Sequence, residues 1–145
     1  MTFVFVAALG VVTGTVAVHV VGLTALLRYY LPGHNVPAMG FWSVAGLLIR
    51  ISGALILIHV VEIALWALFW LWSGSLPDLE QAFYFSGVTY ATIGYGDLVL
   101  PIPWRVLAPV EGVTGTVMCG LSTALFFAFL SRIYSARHRA EPQDE

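Results

Sequence analysis

Charge is scarce in this sequence. Only 10% of its 145 residues are Asp, Glu, Lys or Arg, against about 25% in an ordinary soluble domain, which excludes a water-exposed globular surface. Lysine is absent. All six basic residues are Arg, and no run of them is long enough to track a phosphate backbone, so no nucleic acid partner is expected. The single Cys119 excludes an intrachain disulfide, and its apolar surroundings suit a small buried hydrophobe. The linear sequence presents no nucleophile beside a base and no metal ligands at a recognisable spacing, so neither an enzyme nor a cofactor is expected.

Apolar length is what the chain has in abundance: 59% of it is hydrophobic and its mean hydropathy is +0.89. It reads as an integral membrane protein, with the lipid bilayer as its solvent. The first apolar run, from Phe3 to Leu27, would extend roughly 37 Å as a helix, enough to cross a bilayer. It is too long for a signal-peptide core and has no basic segment before it, so residues 1–30 read as a transmembrane helix. Ala7, Gly10, Gly14, Ala17 and Val21 recur at steps of three and four, a small-residue seam expected to face a neighbouring helix. His19 lies off that seam and is expected to make a structural hydrogen bond.

Arg28, paired tyrosines, Pro32 and Pro37 take the chain out of the membrane, giving a turn over 31–40. A second span follows over 41–72. Arg50 lies near its inner end, within snorkelling reach of the headgroups, and Trp66, Trp70 and Trp72 gather at the other. Ser73 to Pro77 breaks the helix, and Asp78 with Gln81 then forms a capping-box pattern that opens a helix over 78–91. At about three turns it is too short to span, so it must dip into the membrane and return. A last span runs over 105–133, followed by a tail over 136–145.

Between the short helix and the last span lies Thr92-Ile93-Gly94-Tyr95-Gly96-Asp97. Gly94 and Gly96 alternate with larger residues, so every second residue can take a positive φ and successive carbonyls can point to one side. This segment resembles the selectivity filter of potassium channels, differing from the usual pattern only by Ile93 in place of Val. The resemblance covers residues 43–135: outer helix 41–72, pore helix 78–91, filter 92–97 and inner helix 105–133, within a pore domain over 41–135. It implies an all-α fold of three transmembrane helices plus a re-entrant helix and filter loop, assembled as a homotetramer around a central pore. It further implies passive conduction of K+, held by the backbone oxygens of Thr92, Ile93, Gly94, Tyr95 and Gly96 and by the Thr92 hydroxyl. Two rivals stand beside this: a non-selective cation channel, and a non-conducting subunit of another channel. Some members of the family hold the filter aspartate with a pore-helix carboxylate, where this chain has Val88; support for Asp97 is therefore expected from the Tyr84 hydroxyl.

Along the last span Thr116, Cys119, Gly120, Thr123 and Phe127 share a stripe suited to a pore wall. By the resemblance, Gly115 and Gly120 match the glycines at which inner helices bend, with close packing as the alternative. Phe127 suits either a hydrophobic gate or a lipid-facing ring. His59, Glu62 and Glu111 lie within the spans and are expected to share one polar layer behind the filter, either as a static clamp or as a proton-sensitive coupling. Arg28, Arg50, Arg132, Arg137 and Arg139 fall on one side and only Arg105 on the other. The positive-inside rule then puts the carboxyl terminus in the cytoplasm and the amino terminus outside, in a plasma or inner membrane. Asp78, Glu80 and Asp97 would surround the outer mouth and attract cations.

Overall fold

The computed structural model describes residues 2–30 and 40–140, the last five of these by backbone alone. The turn expected over 31–40 lies, except for Gly40, outside the described residues, as does the end of the tail over 141–145. The described residues form α1 (Thr2–Tyr30), α2 (Phe41–Trp72), α3 (Leu79–Tyr90), a 3-10 turn (Trp104–Leu107) and α4 (Ala108–Ala140), with no strand among them. Three helical stretches, Thr2–Tyr30, Phe41–Trp72 and Trp104–Ser135, are long and apolar enough to cross a membrane. The chain is an all-α integral membrane protein.

The boundaries follow from local chemistry. At the end of α2 the Gly74 amide bonds to the Leu71 carbonyl and the Ser75 amide to the Trp70 carbonyl, with Gly74 at φ 65°. This is a Schellman stop, and it needs the left-handed residue that glycine supplies. Asp78 caps α3 by accepting the Gln81 backbone amide at 2.9 Å, while the Gln81 side-chain amide donates to the same carboxylate at 3.0 Å. Pro109 sits in the first turn of α4, where its missing N–H has no intrahelical acceptor to leave empty. The helix runs to Ala140, seven residues past the expected end at 133, because no glycine or proline interrupts it before Pro142.

All four helices pack together, α2 lying against each of the others. One apolar cluster joins Trp66 and Trp70 of α2, Ala82, Phe85 and Tyr90 of α3, Leu107 and Met118, with Val4 and Ala8 of α1. A second, towards the other end of the long helices, joins Ile51 and Leu55 to Leu125 and Phe129, with Leu23, Leu26 and Ile58 packed around it.

Two sequence expectations are corrected here. The packing face of α1 is centred on Val4, Ala8, Thr15 and His19 rather than on the small-residue seam, of which Ala7 and Gly14 are half-buried, Gly14 against Leu65, while Gly10, Ala17 and Val21 are exposed. Polar Thr15 and His19 need protein around them in a bilayer more than glycines need a neighbour, so they set the rotation of the helix. Gly115 does not line an open face of α4. It is buried against the backbone of Tyr90, where an added Cβ would fall 2.9 Å from the Tyr90 carbonyl carbon.

That contact makes Gly115→Ala costly although alanine is the better helix former. The backbone of α3 has to shift to admit the methyl group, an overpacking cost of about 1–3 kcal/mol. Thermal unfolding in detergent should show a clear loss for Gly115→Ala and none for Gly10→Ala, where nothing lies within 4 Å of the new atom.

Candidate functional site

The 92–97 segment leaves α3 directly and is tied to its last turn. Thr92, Ile93 and Gly94 donate their amides to the carbonyls of Thr89 and Val88 at 2.9, 2.8 and 3.1 Å, Val88 receiving two of them. Val88 thus acts through its backbone. Positive φ occurs at Thr92 (59°), Gly94 (52°) and Gly96 (79°), with Ile93 and Tyr95 between them. Alternation was legible in the glycines, but Thr92 extends it by one residue. A β-branched residue in the left-handed region costs of order 1–3 kcal/mol, strain of the kind that accumulates at working sites. In one chain, residues 91–97 are all exposed, Ile93 at 54% and Tyr95 at 70%.

At the far end of the segment the Tyr84 hydroxyl donates to Asp97 Oδ2 at 2.7 Å, joining residues thirteen positions apart. This hydrogen bond holds the Asp97 carboxyl below its ordinary pKa and pushes that of Tyr84 up, since it favours the charged acid and the neutral phenol.

On α4, Thr116, Cys119, Gly120, Thr123 and Phe127 are all exposed and share one side of the helix. The Thr116 and Thr123 hydroxyls donate back to the Gly112 and Cys119 carbonyls at 2.9 Å each. Phe126 turns the other way and packs on the lower apolar cluster, whereas Phe127 is 70% exposed. The two neighbouring rings have different surroundings.

The intramembrane polar groups do not form the single layer expected. Glu111 is fully buried and accepts from Trp70 Nε1 at 3.0 Å, with Ser86 beside it. Trp70 is eight residues beyond Glu62, about 12 Å along α2, which puts Glu111 two turns nearer that end of the helix. Glu62 has its own partners. Its carboxylate receives His19 Nδ1 at 2.8 Å, His59 Nδ1 at 3.1 Å and the Tyr90 hydroxyl, while His59 Nε2 meets Ser122 Oγ at 3.1 Å. One residue from each of α1, α3 and α4 therefore converges on His59 and Glu62 of α2. His19, Tyr90 and Ser122 were not assigned to this group from sequence. The signal available for His19 was a lone histidine in an apolar run; Tyr90 and Ser122 gave none, being 28 and 63 residues from their partners.

The two acids give separate tests. Trp70→Phe leaves Glu111 without its donor and should destabilise the protein by about 1–3 kcal/mol, whereas Glu111→Gln keeps an acceptor for the indole and should cost less than about 1 kcal/mol. Thermal unfolding of the two variants measures the difference. For Asp97, a pKa lowered in the folded state means that the Tyr84 bond contributes above the ordinary aspartate range and is lost as pH falls through the native value. Tyr84→Phe should move the Asp97 carboxyl titration, followed by carbon-13 NMR, to higher pH; an unmoved midpoint would show that the bond does not form in solution.

No curated protein and no solved structure matches the chain. A family model described as an ion channel matches residues 56–132, a region that runs from the middle of α2 through α3 and the 92–97 segment to the last turns of α4. It covers more than half of the chain, including Glu62, the tied backbone after α3 and the exposed stripe of α4. With three helices able to cross a membrane and that match across its central region, the chain belongs to the ion channel family.

Proposed function

We propose that four copies of this chain surround a central axis and conduct K+ selectively from one side of the membrane to the other. The observation that carries this reading is the alternation of left-handed residues at Thr92, Gly94 and Gly96 on a backbone anchored to the end of α3. Alternation of this kind turns successive carbonyls of Thr92, Ile93, Gly94 and Tyr95 to one side, where, with the Thr92 hydroxyl, they replace the hydration shell of a monovalent cation. One chain supplies one wall of such a site. Closing the ring needs further copies, and the uncovered Ile93 and Tyr95 side chains supply the surface those copies would cover.

Catalytic chemistry plays no part, and conduction uses no cofactor, because the ion is the cargo. The carbonyl end of α3 carries partial negative charge and points to the inner side of the filter, stabilising a dehydrated cation there. Asp78, Glu80 and Asp97 are exposed at the opposite mouth and raise the local cation concentration over a screening length of about 8 Å. Asp97 is kept ionised and in place by Tyr84, so the bond supports both charge and filter geometry. On α4, the exposed stripe from Thr116 to Phe127 lines the inner pathway, with Phe127 forming a ring that closes by dewetting. Gly120, where an added Cβ would meet nothing within 4 Å, is the bend point that remains once Gly115 is committed to packing. The Arg distribution supports an outer amino terminus and a cytoplasmic carboxyl terminus in a plasma or inner membrane.

Purified chain reconstituted in planar bilayers should pass current without a partner protein and reverse near the K+ equilibrium potential under opposed K+ and Na+ gradients. Equal permeation of both ions would remove the potassium assignment, and silence of the pure chain would favour a subunit role. Gly96→Ala places a Cβ at φ 79°, costing about 1–2 kcal/mol in each copy, and should abolish the selective current while leaving the protein in the membrane.

A further inference from the structure

The cluster on Glu62 contains two imidazoles and a carboxylate from distant parts of the chain, and no step of conduction uses it. We infer that His19, His59 and Glu62 form a binding site for a divalent transition ion of the zinc type, inside the helix bundle and separate from the ion pathway. Their ligand atoms all lie within 4.8 Å of one another. The two histidines meet different oxygens of the one carboxylate, His19 Nδ1 at 2.8 Å from Oε1 and His59 Nδ1 at 3.1 Å from Oε2, so both imidazoles already converge on a single acid, near the roughly 3.4 Å ligand separations that bonds of about 2.1 Å impose in tetrahedral geometry. Two nitrogens and one carboxylate oxygen suit zinc, cobalt or nickel, whereas Mg2+ and Ca2+ require sets made of oxygen.

The surroundings match what such a site requires. A ligating histidine usually donates its other ring N–H to a fixed acceptor. Ser122 Oγ stands 3.1 Å from His59 Nε2, and a hydroxyl either donates or accepts. His59 can therefore move its proton from Nδ1 to Nε2 when a metal takes Nδ1, with both nitrogens still bonded. Tyr90 donates to Glu62 Oε2, the oxygen that His59 Nδ1 also meets, and its hydroxyl stands 3.2 Å from that nitrogen, which fixes this edge of the carboxylate. A divalent ion would also offset the charge of a carboxylate buried in a bilayer interior. Three protein ligands leave a fourth position open, and the ion joins α1 directly to α2.

The test uses the full-length chain carrying a tag without histidine, stripped by chelator in detergent and titrated with Co2+. One Co2+ per chain should bind with the visible ligand-field bands of a four-coordinate nitrogen and oxygen site, be displaced by Zn2+, and be unaffected by excess Mg2+ or Ca2+. His19→Ala and His59→Ala should each weaken binding at least about tenfold, and Ser122→Ala, which removes no ligand, should weaken it by about tenfold because His59 Nε2 loses its hydrogen-bond partner. His34→Ala and His138→Ala, which alter the two remaining histidines, should leave binding unchanged. Should the ligand variants fail to fold, as judged by gel filtration, Ser122→Ala alone decides. Absence of binding at millimolar Co2+, retention of full affinity in Ser122→Ala, or loss in the His34 or His138 variants would each overturn the site. The readout is binding, so it stands or falls independently of potassium selectivity.

Discussion

A carboxylate buried in a membrane bundle must find its hydrogen-bond partners within the protein, and Glu62 meets that demand by drawing on every helix. His19 comes from α1, His59 from α2 itself, Tyr90 from the end of α3, and Ser122 of α4 joins through the His59 ring. Lipid tails offer no hydrogen bonds and no gain for burying one apolar side chain rather than another, so polar contacts and close packing decide how such helices rotate. The facing of α1 is the clearest case. Its sequence is apolar on every side, and the full burial of Thr15 and His19 selects the side that meets α2, with Gly14 and Gly22 at its margin against Leu65 and Ile58.

The same logic distinguishes the 92–97 segment from the helices around it. No regular ladder satisfies residues 92–94; their amides are instead consumed by the last carbonyls of α3, which would otherwise be orphaned at a helix end. This accounting leaves the carbonyls of the segment uncommitted to the chain's own amides, the condition for offering them to an ion. The strain of a left-handed Thr92 is the cost of the arrangement, and the Val88 and Thr89 acceptors on one side, with the Tyr84 bond to Asp97 on the other, hold it in place.

Much of this was legible in the sequence because it rests on local signals. Apolar run length gave the three spans, Asp78 and Gln81 gave the start of α3, and the glycine alternation gave the chain direction after it. The Tyr84–Asp97 hydrogen bond was reached by noticing that Val88 stands where a carboxylate would otherwise serve. What escaped depends on rotation and register between helices. Gly115 and Gly120 read alike, yet only one faces the Tyr90 backbone, because five residues rotate a helix by well over a third of a turn. His19 and Glu62 are 43 residues apart. No spacing rule joins them, and that is why the chain seemed to lack a metal-ligand set.

Tyr90 ties these regions into one mechanical unit. Its hydroxyl is engaged by Glu62, its carbonyl lies against Gly115, and two residues later the backbone enters the left-handed turn at Thr92. A packed interior admits discrete rearrangements rather than gradual deformation, so α4 cannot slide past α3 at Gly115 while Tyr90 keeps both contacts. Displacement of α4 near Gly115 must therefore move the start of the 92–97 segment or break the Tyr90 bond to Glu62. Bending at Gly120, one turn further along, avoids this choice: it frees the end of α4 that carries Phe127 while Gly115 stays seated. The first helix belongs to the same unit although it lies outside the region that carries the family match, since His19 holds the opposite side of the Glu62 carboxylate and so bears on the position of Tyr90.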